Sequence, residues 1–310
     1  MTGNLLAITV QFQEEIKQLL KRHGLQFSSE ETEACSILSV EKAGDGSIVS
    51  TPVRIILIPL TATDPDAARR QSIAVSQMAG SPDTIAVTED RWRKATEMMS
   101  GRILAHTSIF RSVYARDCEV RKINRSEADR FLEKAHSYGG AKCRYSYGVF
   151  LKRDRVKNVG GENIPAGDSP SGSGFTGIRP GAMVAAAEFS NSRRWIKDGR
   201  EVRSYEWIRY ASMPDVRITG GMGKVLNRFI DDVRPDDIMS YADIEWSAGQ
   251  AYSQLGFVRE EDKGPVLFTV DTDTWTRVPI RDAAPEPEKD MGNIRYFQNF
   301  GSRKYRLKLY

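Results

Sequence analysis

The 310-residue chain has few of the residues that build disulfide frameworks and metal clusters, since it contains only three cysteines and three histidines. Cys35, Cys118 and Cys143 lie far apart and never form a C-x-x-C pair, and the histidines are equally scattered. Neither a disulfide scaffold nor a zinc cluster is indicated, and we predict no metal site.

Long apolar runs are also missing. No window approaches 18 consecutive apolar residues, and the N-terminal sequence MTGNLLAITVQFQEE lacks the basic-then-apolar order of a signal peptide. We therefore expect a cytoplasmic protein with no membrane partner. A composition of 40% hydrophobic and 28% charged residues is typical of a globular protein with one large domain or two ordinary ones. Nothing in the sequence indicates the oligomeric state.

The net charge of +4 is small but unevenly placed, because residues 291–310 contain no acid. This C-terminal stretch, NIRYFQNFGSRKYRLKLY, interleaves aromatic rings with five cations: Arg295, Arg303, Lys304, Arg306 and Lys308. A basic, aromatic tail of this kind can bind phosphates and stack on bases. An edge strand with a solvated face explains the same pattern equally well.

Residues 1–110 read as a small α/β unit. VQFQEEIKQLLKRHGL has helical spacing, and the apolar run VRIILIPL predicts a buried strand. DPDAARRQSIAVSQMAG then predicts a helix capped by an aspartate, and DTIAVTEDRW a second strand followed by a turn. Strand, helix and strand in this order favour a parallel pair. A single helix over RWRKATEMMSGRILAHTS is expected next.

Residues 111–310 are predicted to form a second α/β domain. We expect a strand over residues 113–123 and a helix in SEADRFLEKAHSYG, capped by Ser126 with Asp129. RYSYGVFL and AMVAAAEFS should form an antiparallel pair joined by a disordered hairpin tip at residues 154–181, a segment rich in Gly, Ser and Pro.

The segment RITGGMGKVLNRFIDD has the layout of an anion-binding helix N-terminus. Gly220, Gly221 and Gly223 follow a strand and precede an amphipathic helix, so that backbone N–H groups can face a phosphate. A glycine-rich turn that only starts a helix gives the same pattern.

The next segment, SYADIEWSAGQAYSQLGF, places Asp243 at a strand end and Tyr252 on the following helix, just before Leu-Gly-Phe. With the glycine loop, this resembles the GNAT superfamily of acyl-CoA-dependent N-acyltransferases, whose second motif has the form A-x-x-x-Y-x-x-L-G-F. The resemblance covers roughly residues 113–280. It implies a mixed central sheet flanked by helices, and an acetyl-CoA or other acyl-CoA cofactor held by Gly220, Gly221, Gly223 and Lys224. It also implies that Tyr252 protonates the departing thiolate. Ile218 stands where the family has Gln or Arg.

A narrower resemblance links YEWIRYAS, MSYAD and AYSQ to the phage Mom proteins, GNAT-fold enzymes that modify adenine in DNA. It implies a phage or prophage origin, a DNA partner and five candidate catalytic residues: Glu206, Arg209, Tyr241, Asp243 and Tyr252. Trp246 and the tail cations would contact the nucleic acid. TIAVTEDRW, SGRILAHTS and VYARDCEVRKI are also similar to phage-associated proteins in which a restriction-endonuclease-like segment precedes such a domain. Asp64 is not followed by E-x-K on the next strand, so we interpret residues 1–110 as a nuclease-like remnant or a DNA-binding scaffold and do not expect an active nuclease.

The residues also permit a physical interpretation without these families. A carboxylate at the end of a central strand faces the crevice in which open α/β sheets bind ligands, and Glu206 could reach it from the neighbouring strand and raise one of the two pKa values. Other interpretations stay open: Asp243 as a helix cap, Glu206 and Arg209 as a structural ion pair, and Trp246 and Tyr252 as packing residues. Glu245 is interpreted as a surface residue.

Three functions follow from these interpretations. The leading hypothesis is a DNA-modifying acyltransferase-like enzyme. The others are an N-acetyltransferase acting on a small amine or a protein, and a non-catalytic DNA-binding or virion-associated protein on the same scaffold.

Overall fold

The computed structural model describes residues 2–42, 52–79, 81, 83–153, 155–159, 178–197, 199–280 and 292–310, with side chains from residue 11 onward. The helices are α1 (Thr2–Arg22), α2 (Pro65–Ser76), α3 (Glu89–Lys94), α4 (Thr96–His106), α5 (Arg125–Ala135), α6 (Gly221–Val233) and α7 (Gln250–Gln254). The first strands are β1 (Phe27–Glu31), β2 (Ser36–Val40), β3 (Val53–Ile58), β4 (Thr84–Thr88), β5 (Phe110–Tyr114), β6 (Cys118–Lys122), β7 (Tyr145–Leu151), β8 (Lys157–Val159) and β9 (Met183–Phe189). The remaining strands are β10 (Arg193–Lys197), β11 (Arg200–Ser212), β12 (Val216–Thr219), β13 (Asp237–Asp243), β14 (Val258–Arg259), β15 (Leu267–Asp271), β16 (Thr276–Pro279), β17 (Ile294–Gln298) and β18 (Ser302–Lys308).

The N-terminal sheet has the order β1-β2-β3-β4, and its β3–β4 pair is parallel. This confirms the predicted strand-helix-strand unit. The Asp64 carboxylate accepts a hydrogen bond from the Ala67 amide at 2.8 Å, so the aspartate cap of α2 is also confirmed. After β4 the chain does not turn but enters α3 directly, and the single helix expected there is broken at Ala95 into α3 and α4.

The central sheet has the order β14-β18-β13-β11-β9-β7-β6, and β10 pairs with the first half of β11. The predicted antiparallel pairing of β7 with β9 is confirmed. Helix α6 buries Val225, Leu226 and Phe229 against this sheet, as its amphipathic pattern predicts. The mixed α/β class, with sheets flanked by helices, is thereby confirmed.

Several local expectations need correction. Helix α5 is capped by Asn124, which accepts from the Glu127 amide at 2.8 Å, and Ser126 only donates to that same Asn124 oxygen. The strand expected at 113–123 is divided by a 3-10 turn at Ala115–Asp117 into β5 and β6. The hairpin tip predicted at 154–181 falls largely on residues outside the described ones, and its described part includes β8, which pairs with β5.

The basic C-terminal stretch forms strands within two sheets. Strand β17 pairs with β15, and β18 lies between β13 and β14 in the central sheet, so β18 is not an edge strand. Its cations therefore lie on an internal strand, where most of them have partners within the chain.

The strands β15 to β17 pack on the N-terminal sheet. One buried cluster joins Ile37, Ile56 and Ala86 to Phe268, Val270 and Phe297. A second cluster places Trp246 against α4 and the other face of the N-terminal sheet. The division at residue 110 stays a prediction, and the two parts share buried contacts.

Candidate functional site

The two central strands β11 and β13 run parallel but pair over three positions only, from Ser204–Asp237 to Glu206–Met239. Beyond that point β11 continues along β9, with a register shift between Trp207 and Arg209, while β13 continues along β18 as far as Asp243. The strands thus form a fork that opens at their carboxyl ends. Crevices at this end of parallel strands are the usual ligand sites of open α/β sheets.

Ser240 and Tyr252 lie in the fork. The Ser240 hydroxyl is 2.8 Å from the Trp207 carbonyl oxygen and 2.8 Å from the Tyr252 hydroxyl. Since the carbonyl can only accept and Ser240 has one proton, Ser240 donates to Trp207 and Tyr252 donates to Ser240. Burial raises the pKa of Tyr252, although the Ser240 contact opposes this, and Tyr252 remains protonated at neutral pH.

The glycine loop opens α6 as predicted. Gly220 is the N-cap with φ +77°, a left-handed conformation that favours glycine, and no side chain caps the helix. A Cβ atom on Gly221 would lie 2.7 Å from the Tyr210 hydroxyl, so the backbone of the loop lies close against the Tyr210 side chain. The Lys224 ammonium donates to the carbonyls of Ala115 and Cys118 at 2.7 and 2.5 Å. Lys224 therefore ties α6 to the 3-10 turn.

Asp243 ends β13 and lies beside a buried ionic cluster. Arg91 from α3 donates to the Asp243 carboxylate at 3.2 Å, to the Glu245 carboxylate at 2.7 Å and to the Tyr138 hydroxyl at 2.5 Å. Glu245 is fully buried, so its interpretation as a surface residue is wrong. The backbone also fixes this turn, because the Glu245 amide donates to Asp243 and its carbonyl accepts from Ala86 at 2.6 Å.

The like-charge carboxylate pair expected at this strand end exists, but its second member is Glu245. Burial, opposed by Arg91 and reinforced by Asp243, raises the pKa of Glu245 to about 7. Burial alone would lower the pKa of Arg91, but Glu245, Tyr138 and Asp243 raise it above its usual value. A carboxyl group with this pKa can gain or lose a proton near neutrality.

Glu206 does not reach Asp243. It pairs in register with Met239, four residues before Asp243, which corresponds to ~13 Å along an extended strand. Nor does it form an ion pair with Arg209 within the described residues, because the Arg209 guanidinium donates to the carbonyls of Gly139 and Ile208. Tyr241 lies under the Lys263 ammonium, 4.0 Å from the ring centre.

Asp243 and Tyr252 lie on opposite faces of the sheet. Along β13 the residues Ile238, Ser240 and Ala242 are buried beneath the α6 face, and alternate residues such as Asp243 point the other way. The same alternation holds in β11, where Arg209 contacts Gly139 beside α5 and Tyr210 contacts Gly221 of α6.

A cavity of about 590 Å³ opens on the α5 face beside Asp243. Arg91 and Tyr138 form part of its wall, together with Asp90 and Arg277, which pair with each other, and with Glu133 and Trp275. Since Arg91 donates to both Asp243 and Tyr138, the cavity wall lies one side chain away from Asp243.

The residues predicted to bind nucleic acid are mostly engaged within the chain. Trp246 is 3% exposed and lies beneath the Arg102 guanidinium, 4.0 Å from the ring centre. Arg306 pairs with Asp237 and Glu260, and Lys304 with Glu260. Of the others, Arg295 and Arg303 donate to backbone carbonyls, and Lys308 lies in an exposed position near the end of β18.

Sequence reasoning missed Arg91, Tyr138 and Ser240. Arg91 meets Asp243 across 152 positions of the chain, and no local pattern encodes such a contact. The only available signal was the charged run TEDRW directly after a buried strand.

In the part of the chain that the structure describes, no group of three or more His, Cys, Asp or Glu side chains could hold a metal ion. No described helix is long and apolar enough to cross a membrane.

Comparison with known proteins gives only distant structural likenesses. No family model and no curated protein matches the sequence. The chain is similar to an acetyltransferase from Corynebacterium glutamicum, titled as histone acetyltransferase HPA2 and related acetyltransferase, with 14% identity over 52% of this chain and a TM-score of 0.25. This match spans 62% of the length of the Corynebacterium protein.

Two further solved structures resemble it to a similar degree. A GNAT-family acetyltransferase from Bacillus anthracis has 13% identity over 62% of this chain and 95% of its own, with a TM-score of 0.28. A probable N-acyltransferase from Enterococcus faecalis has 14% identity over 52% of this chain and 36% of its own, with a TM-score of 0.30. Likenesses this low carry no functional argument, so the proposal below rests on the geometry of the chain itself.

Proposed function

We propose that the chain is a GNAT-like N-acyltransferase that moves an acyl group from an acyl-CoA to an amine. The observation that carries this proposal is the fork between β11 and β13, which has Tyr252 on one face, Asp243 on the other and the uncapped N-terminus of α6 beside it. A fork of this form can admit an extended thioester between two strands, with an acceptor approaching from the opposite face.

The residues present fit an acyl-CoA in part. The first-turn amides of α6 at Gly221, Met222 and Gly223 have no side-chain cap and could hold a pyrophosphate at the positive end of the helix dipole. Lys224 does not add to this site, since its ammonium is held by two backbone carbonyls. When bound, the cofactor would supply an activated thioester carbonyl.

Proton transfers are assigned to both faces of the sheet. Tyr252, protonated and hydrogen-bonded in the fork, is the donor to a departing thiolate. On the α5 face the Asp243 and Glu245 pair is the proton acceptor for an attacking amine, and Arg91 is a positioning residue that holds both carboxylates. Asp243 is 28% exposed and faces the acceptor, whereas Glu245 lies behind it.

We further propose that the acceptor is a base in DNA and that the chain has a phage or prophage origin. The DNA acceptor is supported by a groove of about 360 Å³ on the Asp243 face of the sheet. Its lining includes the aromatic rings of Trp195 and Tyr241 and the cations Arg193, Lys197 and Lys304. Trp195 is 50% exposed and available for stacking. A base in a duplex would have to be flipped out to reach the site.

Mass spectrometry of nucleosides distinguishes this acceptor from the others. Cells expressing the native chain should contain a modified nucleoside that is absent from cells expressing Asp243→Ala. Unmodified nucleosides from both would eliminate DNA as the acceptor and leave a small amine or a protein.

The cofactor proposal is tested by calorimetric titration of acetyl-CoA into the full chain. We expect binding that is weakened roughly tenfold or more in Gly223→Asp, because a carboxylate in the first turn stabilises the helix yet repels a phosphate. Asn227→Asp is the matched control, since it adds the same charge to an exposed position one turn further along α6. Absence of acetyl-CoA binding, or equal loss in both variants, would refute the proposed cofactor site.

A further inference from the structure

A second cavity, of about 250 Å³, lies on the α5 face where α4, the end of α5 and the segment from β11 to β12 meet. Four basic side chains line it: Arg102, His106, His136 and Arg217. We call it the cationic pocket. Its other described lining residues, among them Tyr210, Ser212 and Met213, carry no carboxylate.

Among the residues that the structure describes, the two arginines of the cationic pocket have no acidic partner. Arg102 stacks over Trp246 and Arg217 lies 4.7 Å from the Phe110 ring centre, and neither makes a hydrogen bond or an ion pair with another described residue. Two well-buried arginines of this chain do have such partners: Arg91 pairs with Glu245, and Arg277 with Asp90. Arg102 is partly buried, whereas Arg217 is exposed at the rim of the pocket. A partly buried guanidinium without an anion is costly, so the persistence of Arg102 here requires an explanation.

Burial and nearby cations disfavour positive charge on the pocket's basic groups. Burial, reinforced by Arg91, lowers the pKa of Arg102 to about 10. Burial lowers the pKa of His106 to about 3, and Arg102 and Arg217 contribute to that shift. An anion placed here would be attracted by both guanidinium groups and would favour their charged forms.

The cationic pocket adjoins the candidate site. His136 lines both it and the larger cavity beside Asp243, and the Trp246 ring beneath Arg102 follows Asp243 by three residues. Tyr210 also lines the cationic pocket, and its hydroxyl lies close to Gly221 at the start of α6. A variant at the start of α6 is therefore needed to distinguish an anion in the cationic pocket from one bound at α6.

We propose that the cationic pocket binds a phosphate group carried by the acceptor. The assignment to the acceptor rests on the proposed function, whereas the binding of phosphate does not. A phosphate matches the site because it presents several oxygens and more than one negative charge to two guanidinium groups and two imidazoles. The phosphate could belong to a nucleic acid backbone or to a small phosphorylated molecule.

The test is calorimetric titration of the full chain with inorganic phosphate, and with acetate at matched ionic strength. We expect phosphate to bind more tightly than acetate, and roughly tenfold more weakly to Arg102→Gln and to Arg217→Gln. Arg217→Gln keeps the test valid if the loss of the Trp246 stack impairs folding of Arg102→Gln. Arg125→Gln is the control, because this arginine is exposed on α5 and pairs with Asp129.

Three results would overturn the inference: no phosphate binding, acetate binding as tightly as phosphate, or the same affinity in Arg217→Gln as in Arg125→Gln. Phosphate binding that persists in Gly223→Asp locates the ion away from α6. If acetyl-CoA fails to bind while phosphate binds as expected, the proposed function is wrong but the cationic pocket is still a phosphate site. A nucleoside monophosphate and a short single-stranded oligonucleotide, compared at equal phosphate concentration, then identify the source of the phosphate by the tighter binder.

Discussion

Tyr252 is the residue whose role depends most directly on the fork. Its hydroxyl donates to Ser240, which in turn donates to the Trp207 carbonyl, so the phenol is held between β11 and β13. Tyr252→Phe removes only the hydroxyl and leaves the ring stacked on Tyr305. We expect unchanged acetyl-CoA affinity and a transfer rate lowered by roughly 10²-fold, measured as release of free thiol. An unchanged rate would assign Tyr252 to packing.

Protonation of Glu245 makes the stability of the folded chain depend on pH. Its carboxyl group has a folded-state pKa of about 7, above the ordinary 4.5, so the folded chain binds this proton more tightly than the unfolded chain. The stability that this group contributes is fully present below pH 4.5 and is lost as the pH rises to about 7.

Glu245→Gln should abolish that dependence. Between pH 4.5 and 7 the free energy of unfolding of the native chain should fall relative to the variant, by an amount on the order of 3 kcal/mol. Urea denaturation of both chains across this range measures the difference. Parallel pH profiles would show that the Glu245 carboxyl titrates normally.

The sequence located Asp243 and Tyr252 but not their partners. Asp243 ends an apolar strand and Tyr252 precedes Leu-Gly-Phe, which are local patterns. Arg91 and Tyr138 come from distant elements, and the burial of Glu245 follows from them. A single sequence does not encode such distant pairings locally, so the strand-end acid was predicted with Glu206 as its neighbour.

Among the secondary-structure elements, helix α7 is held in place by a close contact between its N-terminal glycine, Gly249, and Tyr305 of β18. Gly249 has φ +83°, and a Cβ atom there would lie 2.2 Å from the Tyr305 hydroxyl. Tyr305 in turn donates to the Ala248 carbonyl at 2.9 Å and stacks on Tyr252. The glycine therefore lets α7 start against β18 and orients Tyr252.

Gly249→Ala tests this contact, and Gly24→Ala is its matched control. Gly24 also has a positive φ, +70°, but a Cβ atom there would meet nothing within 4 Å. Both variants should lose about 1 kcal/mol from backbone strain, and Gly249→Ala a further 1–3 kcal/mol from overpacking, as measured by urea denaturation. Equal losses would show that Tyr305 moves aside freely.

Helix and strand types were predictable where the apolar period was clear, as in α6, β3 and the β7–β9 pair. The positions at which a helix or a strand is interrupted were not predictable. Ala95 divides α3 from α4, and Ala115–Asp117 divides β5 from β6, without a glycine or proline to mark either position. These breaks depend on packing between elements that lie far apart in the sequence.

For the whole molecule, the candidate site depends on both predicted domains. The first domain contributes Arg91 and Arg102, and the second contributes Asp243, Glu245 and Tyr252. A backbone hydrogen bond from the Ala86 amide to the Glu245 carbonyl connects the two domains. The strands β15 to β17, from the second part, cover the N-terminal sheet. The N-terminal segment is therefore a structural part of the site, whichever acceptor is used.

The central claim, that an acyl-CoA binds in the fork between β11 and β13, is tested most directly by hydrogen–deuterium exchange with and without acetyl-CoA. Bound acetyl-CoA should slow exchange in residues 219–226 at the start of α6 and in residues 207–212 of β11, where the fork opens. Strand β1, which is remote from the fork, should be unaffected. Protection confined to other regions, or none at saturating acetyl-CoA, would contradict the account.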